Sequence, residues 1–436
     1  MHSWTMIIVL VVVFGFAVEF RPTDHFMTAY FTGPRINITT AQVTDELPHL
    51  EDYSSILAFL VIMIITDYYL LYKPVMLFNV FCGILVYGNL VMLPNFLRLK
   101  MAKLCVAFFK SYETVYFSYL FAKVHDKRFY QATSGLARTA MLLGKFCSSV
   151  FAQTLVFNYG KSYAKNLPCY TLGSVIFAFV WASFLPSVRQ INSNDDVLGE
   201  LVTQNNNGQP QSENKIVQCN TSCETILIRM WKDLNESYRN PIVLKWSVWY
   251  CLALVGYKTI NMSFVTRGSE KNEQMNGVVE CLTTLIGAVI SYKIGVKRVN
   301  WKLKSNAFIG AGSLILGVCV TFCYFHQQIL SIQLSYVLFG TIIQAMFVVS
   351  LSETARHLKN KCYALVLCFN SLLSLILLLC YKEFFIYSKI FHIDVSKQIL
   401  LFGSLYIIVG TFYLIPCVIA FNRRLKNKCP VYQVTE

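Results

Sequence analysis

The sequence predicts an all-α membrane protein: twelve transmembrane helices in two halves of six. Three observations carry that prediction. The 436-residue chain is 55% hydrophobic and only 14% charged, with a mean hydropathy of +0.50, more apolar matter than one soluble core readily buries. Apolar runs of about 20 residues, the length that crosses a hydrocarbon core of about 30 Å as a helix, recur along almost the whole chain. A single long polar stretch, 189–240, divides them six and six.

The first half comprises runs at 4–29, 54–72, 75–94, 102–123, 133–156 and 166–187. The opening MHSWTMIIVLVVVFGFAVEF competes as a cleaved signal peptide. Its start lacks a basic region and FAVEFRP is a poor small-residue cleavage site, so it is read as the first span. The acidic 30–53 segment follows, with Asn37-Ile38-Thr39 as a glycosylation acceptor; similar triplets at Asn220 and Asn235 fall in the polar stretch and are not backed.

The fourth run contains FFKSYETVYFSYLF, with Glu113 inside an aromatic stretch. A carboxylate near the centre of a span costs roughly 2.5 to 3.5 kcal/mol on insertion scales, so such residues face a cavity, a partner or a substrate. Glu113, Tyr116, Phe117 and Leu120 share one helical face by their i, i+3, i+4, i+7 spacing.

The polar stretch, rich in Asn and Gln, reads as a flexible linker. At its end Ile226, Met230, Trp231, Leu234 and Tyr238 recur at helical spacing among charged residues, either an interfacial amphipathic helix or an extension of the seventh span. The second half comprises runs at 242–264, 276–296, 305–325, 331–352, 361–381 and 398–421. The domain boundaries are therefore 1–188, 189–241, 242–422 and a tail at 423–436, with the substrate site expected near the midplane where the halves meet.

The net charge of +15 does not indicate nucleic acid, because Lys and Arg lie mainly between spans and concentrate in segments that a cytoplasmic N-terminus also makes cytoplasmic. Both termini are read as cytoplasmic and the 30–53 loop as external. Most of the fifteen cysteines sit in spans as small buried hydrophobes, and QCNTSC at 218–223 lacks a second ligand pair for zinc. Gly160-Lys161-Ser162 has Leu155 where a P-loop needs its first glycine, and no HExxH pair occurs. Enzyme chemistry, a metal and a cofactor are thus not expected; a uniporter, exchanger or ion-coupled carrier is.

FRPTDHFMTAYFTGP (20–34), TDYYLLYKP (66–74), YETVYFSYLFAKV (112–124), YQATSGLARTAMLLG (130–144), WSVWY (246–250), MNGVVE (275–280) and CYALVLCFN (362–370) together resemble the reduced-folate and thiamine carrier family. The resemblance covers nearly the whole chain except linker and tail. It implies a twelve-helix major-facilitator fold in the plasma membrane that imports a B vitamin by alternating access. The implied partners are thiamine or folate, the lipid bilayer, and a coupling proton or counter-anion; nucleic acid is not among them.

Thiamine carries a cationic thiazolium and folate a dianionic tail, so their sites need opposite charges. The folate branch resembles an arginine at the positions of Glu113 and Gly340, an arrangement suited to carboxylates; here only Lys397 matches a basic residue of that branch. The thiamine branch resembles a glutamate at Glu113, which can accept from an aminopyrimidine or balance a cation while Tyr116 or Phe117 offers a π face. Thiamine or a similar organic cation is therefore the favoured passenger and folate or a related anion the alternative; a non-transporting vitamin receptor is the alternative of another class.

Other roles are implied by the same resemblance. The alternative for Glu113 is an ion pair with Arg138, Lys145 or Lys258, or a proton-coupling carboxylate. Asp24, beside Arg21, is expected to meet substrate or close the outer gate, against a loop-side salt bridge. Asn276 and Glu280, one turn apart, are expected to face the same cavity. Arg21, Asp67, Lys73 and Arg138 are assigned to gating and helix contacts. The sequence departs from the family at Glu51, which stands for a tryptophan, at Lys258, which stands for a polar amide, at Gly340, and at one extra residue in TDYYLLYKP.

Overall fold

The computed structural model describes residues 2–31, 46–92, 95–124, 126–188, 223–271, 273–297, 299–326, 328–359, 361–387 and 393–428. Asn37 and the linker's polar part, 189–222, lie outside them, as does the end of the tail. Among the described residues there is no strand, as expected where a helix alone satisfies its own backbone donors and acceptors in lipid.

In chain order the helices are α1 His2–Glu19, α2 Met27–Phe31 after a 3-10 turn at Pro22–Phe26, α3 Leu47–Ile65, α4 Tyr72–Val91, α5 Phe96–Lys110, α6 Tyr112–Lys123, α7 Tyr130–Tyr159 and α8 Leu167–Ser183. The second set is α9 Cys223–Tyr238, α10 Pro241–Lys271, α11 Glu273–Val296, α12 Trp301–Phe325, α13 Ile329–His357, α14 Tyr363–Tyr381 and α15 Val395–Lys428.

Ten of the described helices are long and apolar enough to cross a membrane, so composition alone does not reach the expected twelve. The two that fall short are instructive. The predicted 102–123 span is the pair α5 and α6, broken at Ser111, whose hydroxyl donates to the Phe108 carbonyl at 2.6 Å and competes with the helical ladder. The predicted 242–264 span lies inside the 31-residue α10, which carries Lys245 and Lys258.

The break at Ser111 positions the chemistry. It puts Glu113 in the first turn of α6, where the free amide groups and positive end of the helix dipole favour a carboxylate. Within TDYYLLYKP, one widened helical turn at Thr66–Leu70 is followed by Leu71 at φ 63°, ψ −179°, a region that glycine alone enters freely.

The halves meet along α7 with α11 and α13, and along α14 with α3 and α6. A Cβ on Gly135 of α7 would stand 2.6 Å from the Gly295 Cα and 2.9 Å from the Ser291 carbonyl of α11, so the missing side chains let two backbones touch. Gln131 fastens the same crossing, donating to the Ile294 and Lys297 carbonyls at 2.5 and 2.9 Å and accepting from Trp301 at 2.7 Å.

The end of the bundle that carries Lys127 and Leu358 is closed by bonds between halves. Lys127 donates to the Leu358 carbonyl at 2.7 Å, Tyr130 and Tyr363 share a hydrogen bond at 2.7 Å, and the Leu365 amide donates to Asp67 at 2.6 Å. Asp67, Tyr130, Tyr363 and Lys361 line a cavity of about 720 Å³ opening at this end.

Helix α9 is separate from α10 and packs across the same end. Tyr68 donates to Asp233 at 2.8 Å and Tyr238 to Asn370 at 2.5 Å; burial raises the pKa of the Tyr238 hydroxyl, which keeps it a donor at neutral pH. Met230, Leu234 and Tyr238 pack against the core, whereas Leu227, Ile228 and Trp231 are exposed. The i, i+4 stripe from residue 226 therefore meets protein, and Trp231 lies off it.

Candidate functional site

Glu113 and Arg138 form the central pair. Glu113 Oε1 lies 2.8 Å from Arg138 NH2, the carboxylate side chain being 35% exposed and the guanidinium 8%. The Arg138 guanidinium stands 5.2 Å over the Phe117 ring, a cation–π arrangement that offsets part of its desolvation. Tyr250 and Tyr257 of α10 are electrostatic neighbours of Arg138, so the pair joins α6 and α7 and faces the second half.

A second network starts at the end of α1. Glu19, 2% exposed, takes Arg21 at 2.6 Å and Lys145 of α7 at 3.6 Å, and it accepts from the Tyr112 hydroxyl. Arg21 also lies 3.4 Å from Asp24, which accepts from the Tyr87 hydroxyl at 2.7 Å. The Arg21 guanidinium sits 5.4 Å over Phe109. Paired and hydrogen-bonded in this way, charges inside an apolar bundle are tolerable.

Beyond these lie groups from both halves. His25 Nδ1 is 3.1 Å from Glu280 of α11 and its Nε2 is 3.3 Å from the Ser148 hydroxyl of α7. Glu51 takes Lys103 at 2.5 Å and a close contact from Lys110, and Asp52 takes Lys382 at 2.5 Å. Glu280 is 49% and Lys110 56% exposed. Charged groups that engage neighbouring helices yet remain this accessible point to water between the halves rather than lipid.

The expected residues do not all converge. Glu113, Arg138 and Phe117 meet, and Arg21 and Asp24 meet beside them. Tyr116 is fully buried, its hydroxyl donating to the Val11 carbonyl at 3.0 Å and its ring 5.6 Å from Phe14; with Phe117 beneath Arg138, neither ring has a free face in this conformation. Glu280 pairs with His25, and the side chain of Asn276 lies outside the described residues.

Asp67 is at the closed end, bonded to the other half, while Lys73 donates to the Ser183 carbonyl at 2.8 Å and so braces only the first half. Lys397 is exposed, 4.0 Å from Asp394 at the start of α15, and joins none of these networks. Among the described residues no cluster of three or more His, Cys, Asp or Glu is placed to hold a metal ion.

Sequence reasoning missed Glu19, His25 and Tyr87. Glu19 ends an apolar run two residues before Arg21, a signal that an acid and a base lie close along the chain. His25 and Tyr87 gave no local signal, since their partners are 255 and 63 residues away.

A family model described as the reduced folate carrier matches residues 2–401. The human protein named Thiamine transporter 2 is 24% identical over 94% of this chain and 90% of its own length. The human Reduced folate transporter is 28% identical over 95% of this chain and 72% of its own. Among solved structures, the major facilitator superfamily transporter FucP in its outward conformation aligns with a TM-score of 0.59 at 13% identity, covering 93% of this chain and 97% of that one. The proton:xylose symporter XylE aligns at 0.62 and 10% identity, covering 94% and 95%. At such identities the structural likeness shows the major-facilitator fold alone.

Proposed function

The chain belongs to the reduced folate carrier family, and from that premise, with the transporter fold excluding an enzyme reading, we propose that it imports a folate- or thiamine-class vitamin across the plasma membrane by alternating access. The carrying observation is the partly exposed Glu113 held 2.8 Å from Arg138 where helices of both halves meet. The broken α5–α6 pair and α10 serve as the fourth and seventh spans. With cytoplasmic termini, the Lys127–Leu358 end is the cytoplasmic one, and this conformation faces outward.

In this reading Glu113 accepts N–H groups of an aminopyrimidine-type ring, a feature common to thiamine and folate, while Tyr250 or Tyr257 supplies the aromatic face that Tyr116 and Phe117 do not. The pair with Arg138 neutralises Glu113, which weakens the charge argument for a cation and leaves the second vitamin in contention. Asp24, Glu280 and Asn276 belong to the same cavity, Asp67 and Arg21 to its gates. His25, held 3.1 Å from Glu280 across the halves, is a candidate for the coupling proton.

Uptake of labelled thiamine and labelled folic acid by cells without carriers of their own tests the proposal. Saturable entry of at least one, lost in Glu113→Gln at equal surface expression, is expected. Entry of neither, with the chain correctly at the cell surface, removes the proposal.

A further inference from the structure

Below the Glu113–Arg138 waist lies a second cavity that the transport reading leaves unused. Phe121 of α6 stands eight residues past Glu113, about 12 Å along the same helix at 1.5 Å per residue. Its ring meets Tyr130 of α7 and Tyr363 of α14 at centroid separations of 5.0 and 6.1 Å, and those two tyrosine rings are themselves 6.1 Å apart. None of the three side chains is more than 2% exposed, so together they plug the bundle. The cavity of about 720 Å³ lies on the far side of this plug, within the roughly 300–1,000 Å³ typical of small-molecule sites.

Its walls are of two kinds. Tyr68, Tyr72, Phe121, Tyr130 and Tyr363 supply aromatic surface, and Lys123, Lys127 and Lys361 supply ammonium groups. Lys123 donates to the Ser187 carbonyl at 3.1 Å and Lys127 to the Leu358 carbonyl at 2.7 Å, which leaves donors free on each, since an ammonium carries three. Among the described residues none of the three lysines is paired with a carboxylate. The lining also holds two carboxylates, of which Asp67 accepts from the Leu365 amide at 2.6 Å and Asp233 from the Tyr68 hydroxyl at 2.8 Å. Stacking surface beside unpaired ammonium donors suits a planar ring that carries negative charge.

We propose that this cavity is a second small-molecule site, for a planar aromatic anion entering from the Lys127–Leu358 side, and that its occupant is not transported but holds that end shut and slows uptake. The lining comes from both halves: Lys123, Lys127 and Tyr130 from the first, Lys361, Cys362 and Tyr363 from the second. A molecule that touches both sets binds the shut form more tightly than one in which they part, and so shifts the population toward the shut form. The effect on uptake rests on the carrier reading above; the binding does not.

The test uses the purified full chain and naphthalene-1,5-disulfonate, a rigid aromatic dianion that does not cross a bilayer, with its bis-sulfonamide as the uncharged match. In titration calorimetry the disulfonate is expected to bind at least about tenfold more tightly than the bis-sulfonamide, and Lys361→Gln to weaken it about tenfold, the scale of one charge-assisted hydrogen bond. The Lys361 side chain is exposed, so the variant folds, and Lys361→Arg stays within a few-fold of the native chain. Saturating vitamin does not displace the disulfonate. In proteoliposomes with that end inward, disulfonate in the lumen lowers the maximal rate of labelled vitamin uptake without raising the KM, and disulfonate outside has no effect.

Equal binding of disulfonate and bis-sulfonamide, an affinity unmoved by Lys361→Gln, displacement by vitamin, or uptake that lumenal disulfonate leaves unchanged or accelerates each overturns the proposal. A chain that binds disulfonate as described yet moves no vitamin overturns the carrier reading and leaves the binding site standing.

Discussion

Asp67 Oδ2 accepts the backbone N–H of Leu365 at 2.6 Å, so a carboxylate of the first half caps the N-terminus of α14 in the second. Helix N-termini carry free amide groups and a partial positive charge, so this bond ties the first half to the second across that end. Loss of a charge-assisted hydrogen bond is worth about 1.5–3 kcal/mol. Asp67→Ala is therefore expected to raise the opening population of that end about tenfold. Peptide-level mass spectrometry of maleimide labelling at the buried Cys362 reads it; unchanged labelling contradicts the gate.

The Gly135–Gly295 crossing admits no methyl group without backbone movement, since a Cβ on either glycine meets the other's Cα within 2.8 Å. Overpacking of this kind costs typically about 1–3 kcal/mol. Gly135→Ala and Gly295→Ala should each lower the maximal uptake rate while sparing surface expression. Because the two share one contact, the double variant should lose less than the product of the single effects. Strict additivity in log rate would show that the contact is not shared.

Leu71 holds a backbone conformation suited to glycine, at a cost of about 1–3 kcal/mol. Leu71→Gly should raise the Tm of the purified protein by a few degrees, and Leu71→Ala, which keeps the strain, should not. A lower Tm for the glycine variant would mean that the leucine side chain outweighs the strain.

Removing Arg138 leaves the carboxylate of Glu113, 35% exposed, without its charge-assisted partner, a loss of about 1.5–3 kcal/mol. Arg138→Gln should therefore reduce surface expression more than the Glu113→Gln, Arg138→Gln double variant does. In the fraction that reaches the surface, the freed carboxylate should shift competition toward thiamine over folic acid. A shift toward folic acid would contradict the assignment of Glu113 to the cavity.

The apolar runs were legible because helix length against bilayer thickness is a one-dimensional property. Glu113 was legible for the same reason: a charge amid aromatics needs a partner wherever it points. The identity of that partner was left among Arg138, Lys145 and Lys258, because the two helices that carry them, α7 and α10, can each bring a cation to it and the chain pattern does not say which does. The face shared by Glu113, Tyr116 and Phe117 was read correctly as a face, but the pattern cannot say that α1 covers Tyr116. The break at Ser111 escaped notice, since a serine in an apolar run signals a kink only through the carbonyl it chooses.

The account rests on solute moving through the waist at Glu113 and Arg138, and counterflow measures that directly. Proteoliposomes containing the purified chain and loaded with unlabelled vitamin should transiently accumulate the labelled form, and Glu113→Gln proteoliposomes should not. Binding of the vitamin without any accumulation would contradict transport, and accumulation indifferent to Glu113→Gln would remove the waist as its path.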